Sequence, residues 1–156
     1  CKAVVLRIAM LMALIFISAC TQQATTTTTL AKPYNELTPK EVVELYFSSW
    51  NIRDYENMYK TVSDGFGRID SNASSLEAFR NHLDKFFQSG RSISLVKVEE
   101  MSNDGENATV QYTIEMDLTD KRKTEFSGSY SLKYRKNDTL VGWKLIHPYG
   151  QNVDKS

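Results

Sequence analysis

Apolar residues follow three different rhythms along this chain, and each predicts a different kind of element. Between Ile8 and Ile17 (IAMLMALIFI) they are continuous. From Val43 to Phe87 they recur at intervals of three and four, the spacing that gathers them on one face of a helix. Beyond Gly90 they alternate with polar residues, which places them on one face of a strand.

The helical part divides at its caps. Thr38-Pro39-Lys40-Glu41 has the form of a capping box, in which the Thr38 hydroxyl accepts from the third helical amide and Glu41 reaches back. Pro39 suits the first helical position, where its missing N–H has no partner to lose. Val43, Tyr46, Phe47 and Trp50 form the apolar face that follows. Asp54 is the expected cap of a second, short helix that runs to Val62 and buries Tyr55, Met58, Tyr59 and Val62. Gly65 and Gly67 are expected to break it, with Phe66 and Ile69 opening a short strand. Ser74-Ser75-Leu76-Glu77 reads as a second capping box. Leu76, Phe79, Leu83, Phe86 and Phe87 make the stripe of a third helix, which Gly90 ends.

In the strand part, Ser92 to Met101 alternates imperfectly through Ile93, Leu95, Val96 and Val98, the mark of a bulge. Asn103-Asp104-Gly105 is a hairpin turn signal. The second strand alternates without a fault: Ala108, Val110, Tyr112, Ile114, Met116 and Leu118 face inward, while Thr109, Gln111, Thr113, Glu115 and Asp117 face outward. Asp120 to Arg122 turns the chain. The third strand sets Phe126, Gly128, Tyr130, Leu132 and Tyr134 against Glu125, Ser127, Ser129, Ser131 and Lys133. After a turn at Asn137-Asp138, the residues Trp143, Leu145 and His147 continue the apolar face. One-sided alternation means an antiparallel sheet with one covered face, and the helices that come first must supply the cover. The fold class expected is α+β, with three N-terminal helices on a curved sheet of about four strands.

The continuous run is too short for a membrane span. About ten residues of helix reach ~15 Å, roughly half of a bilayer core. Lys2 and Arg7 before it and small residues after it describe a secretory signal peptide. Its end, Ile17-Ser18-Ala19-Cys20, resembles the bacterial lipobox. The thiol of Cys20 is then the site of lipidation, and several acyl chains, each methylene contributing ~0.8 kcal/mol, make a lasting anchor. Because the chain starts at Cys1 and not at Met, its first residue is expected to lie slightly inside the precursor. Thr21 to Lys32 shows no helical or strand period and reads as a spacer. The expected organisation is a signal peptide (1–19), a lipidated cysteine and Thr-rich linker (20–36), one domain (37–149) and a tail (150–156). Thr21 after the cysteine favours the outer membrane in a host with two.

Helix, helix, glycine turn, helix and a long meander resemble the NTF2-like (cystatin-like) cone superfamily. TPKEVVELYFSSWNIRDYENMYKTVS, NATVQYTIEMD and GWKLIH carry the resemblance. The opening is also similar to small envelope lipoproteins and to the NTF2-like N-terminal domains of penicillin-binding transpeptidases. The chain is read as lacking the S-x-x-K and K-T-G motifs of the catalytic domain, so transpeptidase activity is not expected. The resemblance implies a conical pocket, which in some relatives houses isomerase or dehydratase chemistry.

Such chemistry needs a carboxylate, a histidine or an oxyanion donor inside the cone. The candidate pocket-lining residues are Tyr46, Phe79, Tyr112, Tyr130, Trp143 and His147, and no inward carboxylate is among them. His82 sits beside the stripe of the third helix as a boundary residue. No catalytic residue, metal site or cofactor is therefore expected, and the preferred function is a non-catalytic binding or interaction module in the cell envelope. A small-molecule enzyme or ligand carrier using the cone is the alternative. Composition narrows the partners. Nineteen basic and nineteen acidic residues leave no surplus for nucleic acid. Both cysteines, Cys1 and Cys20, precede the domain, so no disulfide or zinc site holds it together. Asn72, Asn107 and Asn137 open glycosylation sequons that turn-rich sequence also produces by chance. The partners expected are the membrane, through the lipid, and an envelope protein or a second copy on the open, hydroxyl-rich sheet face.

Overall fold

The computed structural model describes residues 29–87, 92–117 and 122–146. Helices α1 (Pro39–Ile52), α2 (Tyr55–Lys60), α3 (Asp64–Ile69) and α4 (Leu76–Phe87) precede strands β1 (Ile93–Asn103), β2 (Asn107–Asp117), β3 (Lys123–Arg135) and β4 (Gly142–Leu145). Short 3-10 turns occupy Tyr34–Glu36 and Ser71–Ala73. The strands form one antiparallel meander in the order β1-β2-β3-β4, and α1 packs against β1, β2 and β4. This is the expected α+β arrangement.

Local chemistry explains where α1 and α2 begin. Glu41 N donates to Thr38 Oγ1 at 3.3 Å and Thr38 N to Glu41 Oε2 at 2.7 Å, which closes the capping box. Arg53 then takes a left-handed conformation (φ 55°), its amide bonding back to the Ser49 and Trp50 carbonyls. That turn delivers Asp54 to the head of α2, where its carboxylate accepts from Asn57 N at 3.1 Å and Asn57 Nδ2 at 2.8 Å.

Three expectations need correction. Gly65 to Ile69 is helical and not a strand: Ser63 caps α3 by accepting from Phe66 N at 3.0 Å, and burial of Phe66 outweighs the poor helix propensity of the glycines. Gly67 lies close to the next turn, where a Cβ would stand 3.0 Å from the Ala73 carbonyl oxygen, a tight contact. Helix α4 is capped by Ser75, which accepts from Ala78 N at 3.1 Å, whereas Ser74 donates to the Ser71 carbonyl. Helix α2 stops at Lys60, because Thr61 and Val62 join β4 instead, with Leu145 N donating to Thr61 O at 2.9 Å.

The sheet follows the alternation closely. Register slips in β1 fall between Leu95 and Lys97 and between Glu100 and Ser102. The residues skipped, Val96 and Met101, are 57% and 60% exposed, so the faulty alternation of β1 comes from two bulges. In β2 and β3, Ala108, Val110, Ile114, Tyr130 and Leu132 are buried while Gln111, Ser127, Ser129 and Ser131 face solvent. Phe126 keeps the inward phase yet is 45% exposed.

Strand β4 departs from alternation altogether, all four residues being buried. The cause lies far away in sequence. Residues that read as linker pack on the domain: Leu30 is partly buried against the core, and Tyr34 joins it at 5% exposed. Tyr34 Oη donates to the Trp143 carbonyl at 2.6 Å, which lays this lead-in across β4. Gly142 (φ +142°) admits the ring, since a Cβ would meet Tyr34 Cε1 at 2.9 Å. Cys20 with the apolar run, Gly90, Leu118, Asp120, His147 and the side chains of Phe86 and Phe87 lie outside the described residues.

Candidate functional site

Five of the six sequence-predicted pocket residues can be placed. Tyr46, Phe79, Tyr130 and Trp143 are buried and Tyr112 is half-buried; His147 lies outside the described residues. Helix α1 contributes Tyr46 and Phe47, and the inward phase of β2 and β3 contributes Tyr112 and Tyr130. Their rings meet: Tyr46 edge-on to Tyr130 at 5.9 Å, Phe47 against Tyr112 at 4.8 Å, and Tyr112 stacked on Tyr130 at 5.0 Å. Gly128, paired with Tyr112 across the strands, leaves room for that stack; a Cβ there would stand 2.7 Å from the Tyr112 hydroxyl. Phe79 instead packs on Tyr59 and Trp143 on Tyr134, so the ring stack gathers Tyr46, Tyr112 and Tyr130 of the five placed candidates.

The chemistry of this interior is that of a core. The hydroxyls of Tyr46, Tyr130 and Tyr112 hydrogen-bond one to the next, and burial pushes Tyr130 and Tyr112 above the ordinary phenol range. They stay protonated at neutral pH and cannot serve as bases. Glu115 and Asp117 lie on the outer phase, Glu115 pairing with Lys123 at 2.8 Å. Asp54 is fully buried but engaged as the cap of α2. His82 is half-buried on α4, the boundary position its spacing indicated.

A second place was missed by sequence reasoning. Alternation assigns Lys144 to solvent, yet it is 2% exposed. Its Nζ donates to the Lys60 carbonyl at the C-terminal end of α2 and lies 4.4 Å above the Tyr34 ring. A cation suits both partners, the carbonyl end of a helix and the face of an aromatic ring. Burial pushes the Lys144 ammonium down to about 8, against the pull of Asp138 and Asp64.

Those two carboxylates cross-link α3 to the β3–β4 turn. Asp64 Oδ2 accepts from Thr139 N at 2.8 Å and Thr139 Oγ1 at 2.9 Å, and Asp138 Oδ2 accepts from Asp64 N at 2.9 Å. Burial works against ionising Asp64, but the Thr139 donors, with Lys144 and Arg68, hold its carboxyl below the usual range. The one sequence signal was a lysine between Trp143 and Leu145 in so short a strand. A groove of about 410 Å³ opens beside this corner, walled by Tyr59, Val62 and Leu140. Among the described residues no group of three or more His, Cys, Asp or Glu could hold a metal, and no helix is long and apolar enough to cross a membrane.

With helices on a four-stranded meander and an aromatic interior established, the family match agrees with the geometry. Residues 38–150 match the family model described as the NTF2-like N-terminal transpeptidase domain. The chain belongs to that family. Among solved structures, this NTF2-like domain is similar to a protein of unknown function with a cystatin-like fold from Nostoc punctiforme PCC 73102. That pair shares 15% identity over 67% of this chain and 80% of the other, with a TM-score of 0.47. An uncharacterized cystatin-like protein from Caulobacter vibrioides shares 14% identity over 69% and 81%, with a TM-score of 0.45. A Mycobacterium tuberculosis protein solved in complex with estradiol-17β-hemisuccinate shares 12% over 74% and 94%, with a TM-score of 0.42. No curated protein matches the chain.

The family name directs attention to transpeptidase motifs, and one expectation about them is corrected. Ser94-Leu95-Val96-Lys97 does have S-x-x-K spacing. In this NTF2-like domain, however, both residues are exposed on β1, with a bulge between them, and Lys97 pairs with Glu99 at 2.9 Å. No K-T-G triplet occurs in the sequence.

Proposed function

We propose that this NTF2-like domain is a non-catalytic binding or interaction module of the cell envelope, held to a membrane by lipid on Cys20. The observation that carries this reading is the inner face. Where a catalytic cone needs a carboxylate or histidine, Tyr46, Phe47, Tyr112 and Tyr130 pack ring against ring. Recognition then falls to the outside of the sheet, where Gln111, Ser127, Ser129 and Ser131 form an exposed polar surface. Such a surface suits an envelope protein partner or a second copy. The lipobox resemblance supports the anchor, and the outer membrane is the destination in a host that has two.

Complementation of a deletion strain separates the readings. His147→Gln keeps a polar side chain but removes a group that titrates near neutrality. It should leave the cellular role intact, as should Tyr112→Phe, whereas Gln111→Arg with Ser129→Arg should abolish it. Loss of the role in His147→Gln, at normal abundance and folding, would instead assign the cone to an enzyme or ligand carrier. Cys20→Ser should stop fatty-acid labelling and leave an unprocessed precursor; unchanged labelling would end the lipoprotein reading.

A further inference from the structure

The groove between α2–α3 and the β3–β4 turn has the size of a small-molecule site, about 410 Å³. It mixes the apolar surfaces of Tyr59, Val62 and Leu140 with Lys60, Asp64, Arg68 and Lys144. Its lining carries three cations and one carboxylate, with Glu56 paired to Lys60 and Asp138 acting on Lys144 from outside it. The four charges are not equally free. Asp64 already accepts two bonds from Thr139, and Lys144 donates to the Lys60 carbonyl. Lys60 is held by Asn57 Oδ1 at 2.9 Å and Glu56 at 3.6 Å. Arg68 differs. It is exposed on the last turn of α3, and among the described residues no hydrogen bond or ion pair engages its guanidinium.

An exposed guanidinium whose charge reaches Asp64 but whose donors no described residue takes up, beside an apolar wall, is chemistry that selects a carboxylate, because the planar fork can donate two parallel bonds to its oxygens. We propose that this groove binds a small carboxylic acid with an apolar body. Arg68 holds the carboxylate within the field of Lys144, and Tyr59, Val62 and Leu140 cover the body. Inorganic phosphate shares the charge but has nothing for the wall, and a neutral amide shares the body but has no charge for Arg68. The site is separate from the aromatic interior and needs no catalytic group, so it adds a ligand to the module proposed above without resting on its partner surface.

Phenylacetate and 4-phenylbutyrate are the probes, each titrated against its own amide into the full chain in lipid nanodiscs, with empty nanodiscs as blank. Binding is followed by calorimetry and by amide chemical shifts. The expected result is saturable binding of at least one acid, with shifts at Ser63 to Arg68 and at Thr139 to Lys144. Its amide and inorganic phosphate should bind at least about tenfold more weakly, the loss expected for one charge-assisted contact. Arg68→Ala should weaken the acid by a similar factor, and Arg68→Lys by less. Because Arg68 neither caps a helix nor enters the core, the variants should melt as the parent does, which circular dichroism checks. Absence of saturable binding up to roughly 10 mM, well beyond useful affinity, would overturn the proposal. So would equal binding of acid and amide, or an affinity unchanged in Arg68→Ala.

Discussion

Replacing Lys144 with methionine keeps the length of the side chain and removes its charge. The consequence should be read in the pH dependence of stability. In the unfolded chain the amine titrates at 10.5, and in the fold at about 8. Between those values the unfolded state binds more protons, so stability rises with pH across that window, while below about pH 8 the cost of burying the charge is present in full. From about pH 7 to about pH 9 the gain works out to roughly 1 kcal/mol, an order-of-magnitude figure. The phenols set the ceiling. Tyr34, Tyr55, Tyr59, Tyr112 and Tyr130 are all raised by burial, so their contribution is complete below pH 10 and is lost as the pH climbs past it. Urea unfolding at steps through that window, for wild type and Lys144→Met, makes the test. The wild type should gain stability and the variant should lose the upward slope. A flat or falling wild-type profile, or a slope that survives in Lys144→Met, would refute the argument that this amine is buried and charged.

Other perturbations test other parts of the fold. Trp143→Ala should destabilise by about 3–5 kcal/mol in denaturant unfolding, and a change under about 1 kcal/mol would mean that the phase of β4 was misread. Gly128→Ala forces a methyl into the Tyr112 ring and should cost about 1–3 kcal/mol; pairing it with Tyr112→Leu should recover part of the loss, and strict additivity would argue against the contact. The Asp64 carboxyl is held below its ordinary range, so its contribution is present above the unfolded value of 3.8 and disappears as the pH drops through the folded one. Asp64→Asn should accordingly flatten the acid limb of a circular-dichroism titration, and an unaltered limb would remove Asp64 from the account.

What was legible in the sequence was local. The Thr38–Glu41 box, the Asp54 cap and the alternation of β2 depend on residues a few positions apart, and the structure reproduces them. The misreadings share the opposite property. Two serines, Ser74 and Ser75, both offer a cap, and only packing of the 3-10 turn at Ser71–Ala73 decides between them. The glycines around Phe66 argue for a break until the burial of that ring is known. Lys144 belongs to solvent by alternation and becomes buried through Tyr34, which lies 109 positions from the carbonyl it holds. The aromatic stripe was visible as a stripe, but which rings meet depends on how α1 crosses the sheet.

The lead-in across β4 fixes where a load on this domain is felt. Upstream chain enters at residues 29–33, is cleated to the last strand by Tyr34, and only then reaches α1. The Lys32–Glu41 pair at 2.7 Å ties the same stretch to the capping box, doubling the hitch. A pull from the N-terminal side therefore meets the surface Lys32–Glu41 pair at the head of α1 first, and then the buried Tyr34–Trp143 bond and the corner around Lys144. In mechanical terms the domain is moored at two points, the head of its first helix and the last described strand.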